Sequence, residues 1–167
     1  MKQSARHVAY GAMAAAMIMV TTAFIKVPGP LGYIHLGDGV LFGMAALLGP
    51  LSGLAAGVGS ALADLIAGFG VYAPVTFAIK TLMGAIAGRF ANGSVLQRIC
   101  ILALCEAIMV AGYFAFETAI YGVAAAAGAV WFNLVQGAFG LTLGVCLTGA
   151  RVREFAQKQG LRQKDGE

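Results

Sequence analysis

The chain has 167 residues, 60% of them hydrophobic and only 11% charged, with a mean hydropathy of +0.85. A soluble domain carries about 25% charged residues, so a water-soluble globule is excluded and a lipid bilayer is the expected solvent. Cys100, Cys105 and Cys146 are odd in number and lack Cys-x-x-Cys spacing, which argues against a disulfide framework or a zinc site and leaves them as small buried hydrophobes.

A membrane-spanning helix needs roughly 20 apolar residues, and Gly and Pro punctuation divides the chain into six such elements. Helix 1 is predicted over about 5–25, before Pro28-Gly29-Pro30; Ala23-Phe24-Ile25-Lys26 is a poor cleavage site, so it reads as a retained helix. A loop through Tyr33 and His35 leads to helix 2 at about 36–48, and Gly49-Pro50 turns into helix 3 at about 51–67. Pro74 suits the first turn of helix 4, which ends near Phe90. After the turn Ala91-Asn92-Gly93-Ser94, helix 5 covers about 96–120 and helix 6 about 129–149. The expected fold is an all-α membrane protein: a six-helix transmembrane domain over 1–150 and a polar cytoplasmic tail over 151–167. Abundant glycine fits close helix packing in lipid.

Six spans put both termini on one side. Nine of the eleven basic residues (Lys2, Arg6, Arg89, Arg98, Arg151, Arg153, Lys158, Arg162 and Lys164) then share that side, leaving Lys26 and Lys80 opposite. This bias places both termini in the cytoplasm. The net charge of +4 follows from orientation and calls for no nucleic acid.

Ionisable side chains are expensive in a bilayer, so a cluster on one side marks a site. Lys26, Asp38, Asp64, Lys80 and Glu117 all fall toward the outer face, with Asn133 and Gln136 in the outer half of helix 6. Lys80 is deepest, about 9 Å below the outer boundary, and Asp38 lies near the lid. Tyr33, Tyr72, Phe77, Tyr113 and Trp131 offer stacking surfaces. Such a mixture suits an outward-opening pocket for a small solute. The competing reading is structural: an Asp64–Lys80 ion pair, with Tyr72 and Trp131 as interfacial anchors. Lys26 reads as an anchor, and Glu106, nearer the middle of its span, stays outside the cluster.

The runs Gly32-Tyr33-Ile34-His35-Leu36-Gly37-Asp38, Gly49-Pro50-Leu51-Ser52-Gly53, Gly59-Ser60-Ala61-Leu62-Ala63-Asp64-Leu65 and Tyr72-Ala73-Pro74-Val75-Thr76-Phe77-Ala78-Ile79-Lys80 follow in order. Together they resemble the substrate-binding S components of energy-coupling factor (ECF) transporters, in the riboflavin-type and hydroxymethylpyrimidine-type group. The resemblance implies a multi-pass protein of a prokaryotic plasma membrane that captures a B vitamin or precursor from outside. It implies a transmembrane T component and two cytoplasmic ATPases as partners, and a loop between helices 1 and 2 that closes over the ligand. The substrate-binding set is then Tyr33, His35, Asp38, Asp64, Tyr72, Phe77, Lys80, Glu117, Trp131, Asn133 and Gln136. Gly11, Ala12, Ala15 and Ala16 on helix 1 form the docking surface, since small side chains let helices approach closely.

No Gly-x-x-x-x-Gly-Lys-Ser/Thr loop is present, so this chain is expected to need no cofactor and ATP is used by its partners. An enzyme is not expected: His7 and His35 lie on opposite faces, and no His-Glu-x-x-His pattern occurs. The alternative function is a stand-alone ion-coupled transporter or channel, with Glu106 and Lys80 as a proton relay. Among vitamins, riboflavin, pyridoxine and hydroxymethylpyrimidine suit an aromatic pocket equally.

Overall fold

The structure, a computed structural model, describes residues 2–149 together with Val152, Glu154, Phe155 and Lys158. The Lys2 side chain and most of the expected tail at 151–167, including Arg151, Arg153, Arg162 and Lys164, lie outside the described residues.

The element order is α1 (Lys2–Phe24), β1 (Lys26–Pro28), β2 (Tyr33–His35), α2 (Gly37–Leu48), α3 (Ser52–Ala67), α4 (Ala73–Phe90), α5 (Val95–Tyr121) and α6 (Val123–Leu147). A single 3-10 turn, Gly49–Leu51, joins α2 to α3 without a gap, so the described helical segments number five. Four are long and apolar enough to cross a membrane: Ala5–Phe24, Gly37–Ala67, Val95–Tyr121 and Val123–Leu147. The fifth, α4, carries Lys80 and Arg89 and is not among them.

The helix ends follow local chemistry. Ser94 caps α5 by accepting a hydrogen bond from the Gln97 backbone N–H at 3.2 Å. Gly68 closes α3 at φ 85°, a left-handed conformation that costs glycine least. Gly122, also at φ 85°, is the whole connection between α5 and α6. Here the sequence expectation is corrected: α6 starts at Val123, not near 129, because four successive alanines favour helix and Gly128 alone costs too little to end it.

The larger correction concerns the loop after α1. Lys26–Pro28 and Tyr33–His35 form an antiparallel hairpin, pairing Lys26 with His35, Val27 with Ile34 and Pro28 with Tyr33. Its tip is closed by the Gly29 N–H donating to the Gly32 carbonyl at 2.9 Å. The fold is nearly all helical, with this hairpin as its exception.

Packing runs α1 on α2 and α3, α3 on α4, α4 on α5, α5 on α6, and α6 back on α2. Ile18, Leu41, Phe42, Met83 and Met109 are fully buried at the centre. The outer surface carries Val8, Leu54, Leu104 and Phe139, as a lipid-facing surface should. Cys105 is buried, but Cys100 and Cys146 are exposed on that surface, so only one of the three fits the buried expectation. A Cβ on Gly59 would collide with the Ala15 carbonyl, so this glycine sets how closely α3 approaches α1. Ala15 is partly covered by this contact, whereas Ala12 and Ala16 are exposed.

Candidate solute-binding site beneath the hairpin

At the base of the site, α2, α4, α5 and α6 each contribute one side chain to a single polar cluster. Lys80 Nζ meets Asp38 Oδ1 at 2.5 Å, and the two residues are 0% and 1% exposed. Asp38 Oδ2 accepts from Gln136 Nε2 at 2.8 Å, and both Lys80 and Gln136 lie against Met109 Sδ, at 3.2 and 3.1 Å. The expected Asp64–Lys80 pair is therefore corrected to Asp38–Lys80. Asp38 is at the floor, not the lid, because it opens α2, directly under the hairpin.

The hairpin is tied to this cluster and to α3. The His35 backbone N–H donates to Gln136 Oε1 at 3.3 Å, and His35 Nδ1 accepts from the Gly37 N–H at 3.1 Å. Tyr33 donates to Asp64 Oδ1 at 2.7 Å, and Lys26 Nζ lies 4.9 Å from the centre of the Tyr33 ring. Burial, the nearby Asp64 charge and the hydrogen bond to it push the Tyr33 phenol well above its ordinary value. Burial holds the His35 imidazole down at about 4, opposed by Asp38 and reinforced by Lys80, so the ring is neutral at physiological pH.

Between hairpin and floor lies a pocket lined by seven of the expected residues: Tyr33, His35, Asp64, Tyr72, Glu117, Asn133 and Gln136. Asp38 and Lys80 sit just below it, reached through Gln136. The geometry does not bring in Phe77, which packs at Gly57 on the α3–α4 seam, or Trp131, which is 69% exposed on the outer surface. Phe69, Thr76, Phe132 and Tyr113 line it as well. Thr76 precedes Lys80 by four residues on α4, and Phe132 precedes Gln136 by four on α6; that spacing was the available signal. Phe69 sits in a loop between two glycines, where no periodicity could mark it.

Three side chains in this lining each keep one buried atom without a hydrogen-bond partner: Asp64 Oδ2, Glu117 Oε2 and Asn133 Nδ2. Buried polar atoms are normally satisfied, so three around one cavity call for a guest or ordered water. The aromatic wall is continuous, with ring centroids 5.2 Å apart for Tyr33–Phe69 and 6.4 Å for Phe69–Tyr72. The cavity itself holds about 50 Å³, far below the roughly 300 Å³ of a small-molecule site. A guest larger than a few waters requires this pocket to widen.

Residues 2–153 match the model of the family described as ECF-type riboflavin transporter, S component. The chain is also 36% identical over 132 residues to an uncharacterized protein in a gap 3' region of Pyrococcus woesei, covering 76% of this chain and 88% of that one.

Two outcomes follow from this geometry. Lys80→Met leaves the buried Asp38 without its countercharge, and should cost about 3–5 kcal/mol; adding Asp38→Asn should recover at least half of the lost melting temperature in detergent. The His35 value below its ordinary 6.5 means that between about 4 and 6.5 the unfolded chain holds a proton that the folded chain does not. Stability from this group is complete above pH 6.5 and is lost as the pH falls toward 4. Thermal unfolding across that range should show a smaller acid-induced drop for His35→Gln than for the parent.

Proposed function

The chain belongs to the family of ECF-type riboflavin transporter S components, a transporter family and not an enzyme family, and from that premise we propose that it captures a flat, hydroxyl-bearing vitamin beneath the hairpin. The observation that carries this reading is the ring of unsatisfied atoms on Asp64, Glu117 and Asn133. Two carboxyl groups and one amide N–H ask for a ligand rich in O–H and N–H donors with at least one acceptor. The wall formed by Tyr33, Phe69 and Tyr72 favours a planar ring. Riboflavin, with a fused heterocycle and a polyhydroxyl chain, meets both demands and is the first candidate; pyridoxine and hydroxymethylpyrimidine are smaller members of the same class.

Capture proceeds by lifting the hairpin, breaking the Tyr33–Asp64 and His35–Gln136 hydrogen bonds and handing Asp64 and Gln136 to the ligand. Inward release is then driven by partners: a transmembrane T component and two ATPases that hydrolyse ATP. The T component docks on α1, where Ala12 and Ala16 face outward beside a groove that includes Gly11 and Ala15. The chain itself crosses a prokaryotic plasma membrane six times with both termini in the cytoplasm, α2 and α3 counting as two crossings joined by the Gly49–Leu51 turn. This orientation rests on Arg89 and Arg98 flanking the α4–α5 turn and Lys26 in the hairpin at the other end.

In a thermal-shift screen of purified protein against B vitamins, riboflavin should raise the melting temperature with the logarithm of its concentration. Asn133→Ala should weaken its binding by about tenfold, the size of one lost hydrogen bond to a buried partner. No shift with any of the three vitamins, or full affinity in Asn133→Ala, would remove the reading; so would proton-driven transport by the chain alone. Orientation is checked separately with single cysteines at Gly32 and Gly93 in a cysteine-free background. An impermeant maleimide added to whole cells should label the first and not the second.

A further inference from the structure

The acids that line the pocket differ from the acid at its floor. Asp38 has a countercharge in Lys80, a second bond from Gln136, and a place in the first turn of α2, where the helix dipole favours an anion. Asp64 and Glu117 have none of these. They are 6% and 4% exposed, and both line the cavity. Each accepts from a phenol through one oxygen, Asp64 from Tyr33 at 2.7 Å and Glu117 from Tyr72 at 3.4 Å. The other oxygen of each is buried without a partner. Asp64 lies in the last turn of α3, where the dipole opposes a negative charge. Neither acid forms an ion pair among the described residues. Lys80 is taken by Asp38, and Lys26 stands over the Tyr33 ring on an exposed strand. Arg98 lies about 28 Å of helix from Glu117 along α5. Arg89 is in the last turn of α4, whose first turn carries the pocket residue Thr76.

A carboxylate buried without a countercharge is costly, so a cavity lined by two of them is completed by a guest that brings positive charge. The first turn of α4 also reaches the cavity through Thr76, but a helix N-terminus offers only about half a charge against two carboxylates. The walls restrict the kind of cation. A hard metal ion asks for about six or more oxygens, and no group of three His, Cys, Asp or Glu able to hold one occurs among the described residues. Aromatic rings face the cavity instead. Two of them already have an ammonium nearby, Lys26 at 4.9 Å from the centre of Tyr33 and Lys80 at 5.8 Å from that of Tyr113. An organic ammonium suits both features, since it donates to carboxylates and rests on aromatic faces. On the premise that this pocket captures a vitamin, we infer that it selects, among flat rings of similar shape, those bearing a cationic nitrogen, with Asp64 and Glu117 as the countercharges. Hydroxyl groups satisfy the hydrogen bonds of the site; an amine also balances its charge.

Pyridoxamine and pyridoxine are the probes. They share one ring and differ by an aminomethyl in place of a hydroxymethyl group, so the first is the more positive at neutral pH. Titrated into the purified full chain in detergent, pyridoxamine should bind at least about tenfold more tightly, the scale by which a charge-assisted hydrogen bond exceeds a neutral one. Asp64→Asn and Glu117→Gln each remove a charge and keep the shape, and each should cut the preference to about threefold or less. If neither variant folds, benzylamine against benzyl alcohol repeats the exchange in the parent, and only the amine should raise the melting temperature. Equal affinity for the paired probes, or a preference that survives both substitutions, overturns the inference and leaves vitamin capture standing. Tight binding of riboflavin with no binding of pyridoxamine does the same. A chain that binds none of the three vitamins loses both readings. If calcium raises the melting temperature of the parent but not of Asp64→Asn, and pyridoxamine has no advantage, the two acids hold a metal ion instead.

Discussion

Four helices and the hairpin depend on one contact, the ion pair between Asp38 and Lys80 at the centre of the bundle. Removing two charges from water costs several kcal/mol each, and the pair recovers this only where geometry and further hydrogen bonds are good. Both conditions hold here. Gln136 occupies the second Asp38 oxygen, and Met109 lies against the ammonium with the Tyr113 ring 5.8 Å beyond. Gln136 spends its other end on the His35 backbone. One amide side chain thereby connects the charge pair below to the hairpin above. A ligand that recruited Gln136 would loosen the hairpin and alter the solvation of Asp38 in the same step.

The pocket and its cover are consequently one mechanical unit. With the hairpin seated, Tyr33 and Asp64 satisfy each other and the space between hairpin and floor admits only water-sized guests. The atoms left over on Asp64, Glu117 and Asn133 belong to three different helices, so a guest bridging them would also hold those helices together.

Much of this was legible from composition and punctuation. Helix ends marked by Gly, Pro or a Ser cap were readable to within a residue or two, because those residues act through local backbone geometry. The start of α6 was not: one glycine at φ 85° reverses the chain, and an Ala-rich run looks equally like helix or linker. The hairpin escaped because strands of three residues are too short to show alternation. Depth alone grouped Asp64, Lys80, Asn133 and Gln136, and the structure gathers them at and just below the pocket under the hairpin. Depth, however, says nothing about azimuth. Phe77 and Trp131 have the right height and the wrong direction, and Lys80 found Asp38, 42 residues away, while Asp64 bonds to Tyr33 of the hairpin.

The character of α4 has a consequence for how the protein is made. Alone among the five helical segments it falls short of membrane-crossing apolarity, and its deficit is Lys80 near its centre and Arg89 near its end. A nascent chain emerging in order delivers Asp38 to the bilayer before Lys80. The acid therefore arrives first and waits, and the lysine-bearing helix can partition into lipid only against segments already present. The place of α4 in lipid therefore depends on α2, which holds the countercharge its lysine needs.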